Sequence, residues 1–343
     1  MQAQAQTSRQ AEVPPRVSIV LPLYNSSEEI ESTFSELDKQ LYRDREIVLV
    51  DDGSSDSTLE RARSLSSGRG DIRVVGTEHR GPAHARNEGL SHSRGEIVFF
   101  TESDCVYDPT YLQKAVEALD SHPDAAAVCL TGAPLITRPT LATRCIDIEN
   151  KVQHRLLQQG KIEPFYAWVF RREVLLKLGG YDDKLFQGED RDLFRRLKAA
   201  NYSVAWVPGV NWRHIRNQTL PQMAPKWYSR GKTRLLYVLK HRRGADMAKS
   251  VLPLWATVLG AISLFLSPLL GAVVLGLVAA LFIGRTVEVM SISWSSVTTK
   301  RSFLGYPLFI LVRNFSIGLG YSVALVAVMK RKALGQTVSW ENL

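Results

Sequence analysis

From Val251 to Ile283 the chain runs for 33 residues without a charged side chain, interrupted near its middle by Ser267-Pro268. One membrane-crossing helix needs roughly 20 apolar residues, so the run is too long for one span and suits a tight hairpin of two. A second apolar stretch, Tyr306 to Met329, carries Arg313 inside it. Such an arginine either faces a cavity or partner, or snorkels to an interface. The expected spans are about 251–267, 269–284 and 306–329. Three spans would place Lys330, Arg331 and Lys332 outside, against the positive-inside tendency. Two spans with a surface or re-entrant helix keep them inside.

The net charge of +9 is concentrated next to these segments. Lys226 to Lys249 holds eight basic residues and one acid, Asp246, so +7 of the total falls there. A near-neutral remainder argues against a nucleic-acid surface. A basic block beside an apolar run marks the cytoplasmic flank of a membrane segment and favours anionic lipid headgroups. The expected location is the cytoplasmic (inner) membrane, multi-pass, with the catalytic part in the cytoplasm and membrane lipids as partners. Cys105, Cys129 and Cys145 form neither a C-x-x-C pair nor an even framework, which suits a reducing compartment. The first 15 residues are polar, lack the apolar core of a signal peptide and are expected to be a disordered lead-in.

Residues 16–216 have a different character. "VSIVLPL", "EIVLV", "IRVV" and "EIVFF" are apolar runs of strand length, alternating with helical patterns such as Ile30, Phe34 and Leu37. This reads as βαβ units on a parallel sheet buried on both faces. Ligands of such sheets bind beyond the carboxyl ends of the strands, and the polar signals "YNSS", "DDGSSDS" and "ESD" all follow strands.

Several residues there can carry chemistry. Asp51 and Asp52, with the Gly-Ser turn, can accept hydrogen bonds from a nucleobase and ribose, or serve only as turn and capping residues, as Asp56 does. Arg86, in a helix opening at a strand end, can face a phosphate or lie on the surface. Glu102 and Asp104 stand one residue apart at a strand tip, where buried anions need a cation. They offer hard oxygen ligands to Mg²⁺ or Mn²⁺, or are two loop acids. Glu189 and Asp190 open a helix whose dipole favours carboxylates, as a general base or as capping residues. His214 is either a metal or phosphate ligand or a structural histidine.

In this order and spacing, "VSIVLPLYN", "EIVLVDDGSSDST", "ARNEGL", "EIVFFTESDCVYDP", "GGYD", "GEDRDLFRRL" and "VPGVNWRH" resemble the inverting glycosyltransferases of family 2, over about residues 15 to 216. The resemblance implies a GT-A fold, an α/β Rossmann-like mixed sheet, followed here by the membrane helices, with 217–249 as basic interfacial helices and 333–343 as a tail. It implies a UDP- or GDP-type sugar donor contacted by Pro22, Tyr24, Asn25, Asp51, Asp52, Arg86, Glu102 and Ser103. Asp52 would meet the base and Arg86 would lie near the diphosphate. Metal would be held by Asp104, Glu102 and His214, and Asp190, with Glu189 beside it, would be the base. Glu102 departs from the first acid of the D-x-D pattern. "QMAPKW" (222–227) departs from the Q-x-x-R-W of processive members, which favours single-sugar transfer.

A base is needed when a hydroxyl attacks but not when a lipid phosphate does. The acid pair therefore points to a hydroxyl on a lipid-linked or cell-envelope glycan, with Lys226, Trp227 and Arg230 along the headgroups against its diphosphate. The alternatives are a polyprenyl-phosphate glycosyltransferase and a degenerate membrane accessory protein. A nucleotidyltransferase is disfavoured, because "LYNSSEE" is not a Gly-rich phosphate loop.

Overall fold

The computed structural model describes residues 14–103, 105–131, 140–159, 161, 169–208, 212–214, 218–294, 297 and 300–343. Residues 1–13 of the 15-residue lead-in and Asp104 fall outside these residues, and the side chain of His214 is likewise not described.

The first half builds in chain order β1 (Val17–Leu23), α1 (Ile30–Asp38), β2 (Arg45–Asp52), α2 (Thr58–Ser66), β3 (Ile72–Thr77), α3 (Pro82–His92), β4 (Ile97–Phe100), β5 (Cys105–Tyr107), α4 (Tyr111–Ser121) and β6 (Ala125–Thr131). Then come α5 (Leu141–Gln158), β7 (Val169–Arg171), α6 (Arg172–Lys177), α7 (Glu189–Ala199), β8 (Ser203–Pro208) and β9 (Trp212–His214). The seven-stranded sheet has the order β3-β2-β1-β4-β7-β6-β8, and β5 pairs with β9 apart from it.

Strands β1 to β4 pair in parallel, as the alternation predicts. The three-residue β7 runs antiparallel to both its neighbours, so the sheet is mixed. So short a strand carries no periodicity of its own, and its place comes from pairing alone. Side chains alternate across the pleat. Ile19, Leu21, Ile47 and Phe99 pack one face against α1 and α4, whereas Val20, Val48, Val98 and Phe100 pack the other against α3, α6 and α7. Because β1, β2 and β4 are parallel, their carboxyl ends share one rim.

The second part is helical: α8 (Leu220–Lys240), α9 (Gly244–Leu266), α10 (Pro268–Ser293) and α11 (Ser302–Ala333), followed by a 3₁₀ turn at Trp340–Asn342. Thr219 and Gln222 form a capping box at the start of α8. The hairpin breaks at Ser267, and Pro268 opens α10, where its missing N–H is harmless. All three of α9, α10 and α11 are long and apolar enough to cross a membrane. They extend beyond the uncharged runs; α10 continues through Arg285 and Glu288, an i,i+3 pair 2.7 Å apart.

Helix α11 differs from the hairpin in its packing. It lies along α8 and runs in the same direction: Phe309 meets Trp227 edge-on, and Tyr321 to Val328 share a cluster with Leu235 and Val238. Between these contacts the backbones touch, since a Cβ on Gly320 would collide with Tyr228 and one on Gly231 with Ile317. The α9–α10 hairpin instead presents Leu252, Leu259, Phe265, Leu266, Leu269 and Leu281 outward.

Asp192 joins the two parts. It is fully buried, and its carboxylate accepts from Arg196 of its own helix (2.8 Å) and from Lys240 (2.6 Å) and His241 (2.8 Å) at the end of α8. Burial alone would raise its pKa, but the bonds from Lys240, Arg196 and His241 outweigh that and hold it below the ordinary value. Asp192→Asn leaves those cations facing a neutral amide. We expect it to destabilise the protein by on the order of 3 kcal/mol, read as a lower unfolding temperature in detergent.

Candidate active site

The rim above β1, β2 and β4 is assembled by polar loops that bind one another. Asn25 adopts a left-handed backbone (φ 47°), which asparagine tolerates. Its Oδ1 accepts from the Ser55 N–H at 2.9 Å, and its own N–H donates to Ser54 Oγ at 3.0 Å. The loop after β1 is thereby tied to the loop after β2. Ser26 Oγ reaches Ser103 Oγ at 3.3 Å, which ties it also to the end of β4. Pro22 stays within β1, opposite Val50.

Asp52 is 3% exposed and organises the turn into α3. Its two oxygens accept from the N–H groups of Arg80 (3.0 Å) and Gly81 (2.9 Å), and His79 Nδ1 lies 2.9 Å away. The buried Asp51 accepts from Ser54 N–H at 3.1 Å through Oδ2, while its Oδ1 has no partner among the described residues. Tyr24 stacks on His79 with ring centroids 4.0 Å apart, an exposed aromatic wall over this turn. Trp340 meets His79 edge-on and packs against Phe186, so the C-terminal tail reaches the same rim. The sequence reading missed His79 and Trp340. "TEHRG" follows a strand, as the other rim motifs do, and was the available signal for His79; nothing local signals Trp340.

Arg86 is the cation beside the acids of "ESD". It is 4% exposed, and its guanidinium reaches Glu189 at 3.0 Å, Glu102 at 3.5 Å and Asp190 at 4.0 Å. It also lies 5.3 Å from the Tyr181 ring centre. Burial alone would lower its pKa; Asp190, Tyr181, Glu189 and Glu102 reverse that and raise it. Asn87, the next residue on α3, exchanges two hydrogen bonds with the Tyr181 backbone (2.9 and 2.8 Å) and fixes the "GGYD" loop behind Arg86. Gly188, left-handed at φ 91° and in contact range of the Tyr237 ring, then turns the chain into α7.

The two acids opening α7 are unequal. The Glu189 side chain is 9% exposed and that of Asp190 33%. Burial first, and the adjacent Asp190 carboxylate second, push Glu189 up to about 7, although Arg86 pulls the other way. Glu189 therefore anchors Arg86 from inside, and Asp190 is the acid open to a bound molecule. Arg86, Glu102, Glu189 and Asp190 are brought together; Tyr24, Asn25, Asp51, Asp52 and Ser103 line the adjoining part of the rim.

Asp104 lies outside the described residues. The backbone of His214 pairs with Cys105, the residue after Asp104. Carboxylate oxygens there suit a hard divalent cation. Among the described residues no cluster of three potential ligands stands complete. Lys226 is exposed, whereas Trp227 is 3% exposed and packs on Phe309.

Residues 18–179 match the family model described as glycosyl transferase family 2. Glycosyltransferase AglE of Haloferax volcanii is 27% identical over 203 residues, covering 57% of this chain and 66% of its own length. Probable glycosyltransferase YdaM of Bacillus subtilis is 28% identical over 212 residues, covering 58% and 50%. The chain thus spans half to two-thirds of the length of these curated relatives. The mannosyltransferase PcManGT from Pyrobaculum calidifontis, solved with GDP-Man and Mn²⁺, shares the fold with a TM-score of 0.58 at 19% identity, over 91% of this chain and 87% of that one. The mixed sheet and its loaded rim have the GT-A-like fold of that neighbour. Over residues 18–179 the chain is thus similar to glycosyl transferase family 2.

Glu189 makes the stability depend on pH. Its folded pKa lies above the ordinary 4.5, so its contribution is complete below about 4.5 and lost as pH rises through about 7. Thermal unfolding followed from pH 5 to 8 should show that decline, and Glu189→Gln should flatten it. Arg86→Lys should not restore the wild-type unfolding temperature, since a point charge cannot bridge three carboxylates as the planar fork does.

Proposed function

We propose that the protein is a membrane-bound inverting glycosyltransferase that moves one sugar from a nucleoside-diphosphate sugar to a hydroxyl of a lipid-linked or cell-envelope glycan. The observation that carries this reading is the Arg86 cluster: it holds a partly exposed acid, Asp190, beside the strand tip that bears Glu102, on the rim where ligands of such sheets bind. The nucleotide would lie along the rim, its base between the Tyr24–His79 wall and the Asp51–Asp52 turn. Asp51 Oδ1, buried and without a partner among the described residues, would accept from a base N–H only if the turn opened toward it.

Asp190 would take the proton from the acceptor hydroxyl as its oxygen attacks the anomeric carbon from the side opposite the leaving diphosphate, inverting that centre. Glu189 and Arg86 position Asp190, and the shared rim holds donor and acceptor in line. A Mn²⁺ or Mg²⁺ held by Asp104, with Glu102 and His214 as further ligands, would neutralise the developing charge on the diphosphate. GDP-Man and Mn²⁺ in the complex of the structural neighbour support a nucleotide-sugar donor and a divalent cation.

The α9–α10 hairpin would cross the cytoplasmic membrane, leaving the catalytic domain in the cytoplasm. The parallel packing of α11 on the basic α8 supports two spans with α11 held at the surface, which keeps Lys330, Arg331 and Lys332 inside.

Asp190→Asn should lower transfer by at least about a hundredfold while nucleoside-diphosphate binding stays unchanged. Full activity in that variant would discard the hydroxyl acceptor in favour of a lipid phosphate. Titration of UDP and GDP with and without Mn²⁺ tests the donor: binding should require metal and be lost in Asp104→Ala. No nucleotide binding under either condition would sink the reading.

A further inference from the structure

A cavity of about 770 Å³ lies where the catalytic domain meets the helices. Its wall carries six cations, Arg191, Arg230, Arg234, Lys249, Arg285 and Arg313, contributed by five different helices. Among the described residues two acids line it, and both are already engaged. Glu149 accepts from Arg313 and, at 2.8 Å, from the Tyr306 hydroxyl, while Asp246 is bound by Arg243 at 2.6 Å. Arg285 is paired with Glu288 from outside the wall, and among the described residues the lining still holds more cations than acids. Arg234 Nε is buried and donates to nothing among the described residues. Burial, and then repulsion by Arg234, hold the pKa of Arg191 below the ordinary arginine value. Cations gathered against their mutual repulsion are stabilised by an anion with several oxygens.

The cavity's position says what carries that anion. Ser250 of α9 and Arg285 of α10 line it, both roughly 25 Å along their helices from the hairpin turn at Ser267, by the rise of 1.5 Å per residue. The hairpin's exposed apolar faces begin immediately beyond, at Leu252 and Leu281. Trp227, Phe309 and Ile317 add apolar wall. At its other end the cavity is lined by Gln187 and Arg191, which bracket the acid pair Glu189 and Asp190.

We propose that this cavity binds the diphosphate of a lipid-linked acceptor, with the lipid chain leaving along the α9–α10 hairpin and the glycan directed toward Asp190. The site rests on the transferase reading above, and it differs from a layer of headgroups along α8: the anion is enclosed by α7 to α11 together, and α5 supplies Glu149. Arg313, which in sequence either faces a cavity or snorkels, lines the cavity wall.

The test is binding to the full chain in nanodiscs of neutral phosphatidylcholine, with geranylgeranyl diphosphate as probe. Saturable binding is expected. Arg191→Gln and Arg234→Gln should each weaken it about tenfold, the effect of losing one charge-assisted hydrogen bond. Arg230→Gln, on the exposed side of α8, should do the same and serves if either of the others unfolds. Inorganic pyrophosphate should bind more weakly, and phosphatidylglycerol at equal mole fraction should not displace the probe. Equal binding of pyrophosphate would overturn the lipid-linked ligand, and displacement by phosphatidylglycerol would reduce the cavity to a general headgroup site. Unchanged affinity in all three variants, or no saturable binding, would remove the site altogether. UDP and GDP are titrated in parallel: probe binding in a protein that binds neither nucleotide would still support the cavity while refuting the donor reading.

Discussion

The guanidinium of Arg86 is buried in the middle of the domain and shared among carboxylates from two distant parts of the chain, Glu102 after β4 and the pair Glu189 and Asp190 at the start of α7. Neither partner is stable there alone, because an unpaired buried charge costs several kcal/mol. The cluster therefore forces α3, the tip of β4 and the first turn of α7 to meet at one point. Asp52 fixes where α3 begins, through the N–H groups of Arg80 and Gly81, and Asn87 fixes the "GGYD" loop that leads toward α7. The arrangement of the acids thus follows from satisfying one cation.

A second polar junction sits a turn further along α7. Asp192 faces the end of α8 while Asp190 faces the rim, so one short helix carries both the candidate base and the clasp to the helical part. A displacement of α8 is transmitted to the acid pair through less than one helical turn. The close backbone contacts of Gly231 and Gly320 then couple α11 to the same assembly. The candidate base and the contact with the helical part thus share one rigid element.

Much of this was legible residue by residue. Ile30, Phe34 and Leu37 announced a helix because burial on one side demands that spacing, and the β-branched runs of β1 and β2 announced a doubly covered sheet. The rim motifs were legible because polar residues following apolar strands have nowhere else to go. The antiparallel β7, the inward turn of Trp227 and the contact of Trp340 with His79 were not legible, because each depends on a partner far away in sequence. Asp192 was hidden for the same reason: within "EDRD" it looks like one more acid favouring a helix start.

The sequence by itself determined the kinds of element, their order, the two-part division and the residue types available at each strand tip, since these depend on local periodicity and on transfer of side chains between water and apolar surroundings. Tertiary structure alone decided which charges met. It gave Arg86 three acids, separated the buried Glu189 from the more exposed Asp190, and folded the basic residues of α8 into a cavity with those of α7, α9, α10 and α11. Electrostatic interaction depends on distance and burial, and neither exists in a chain until it has packed.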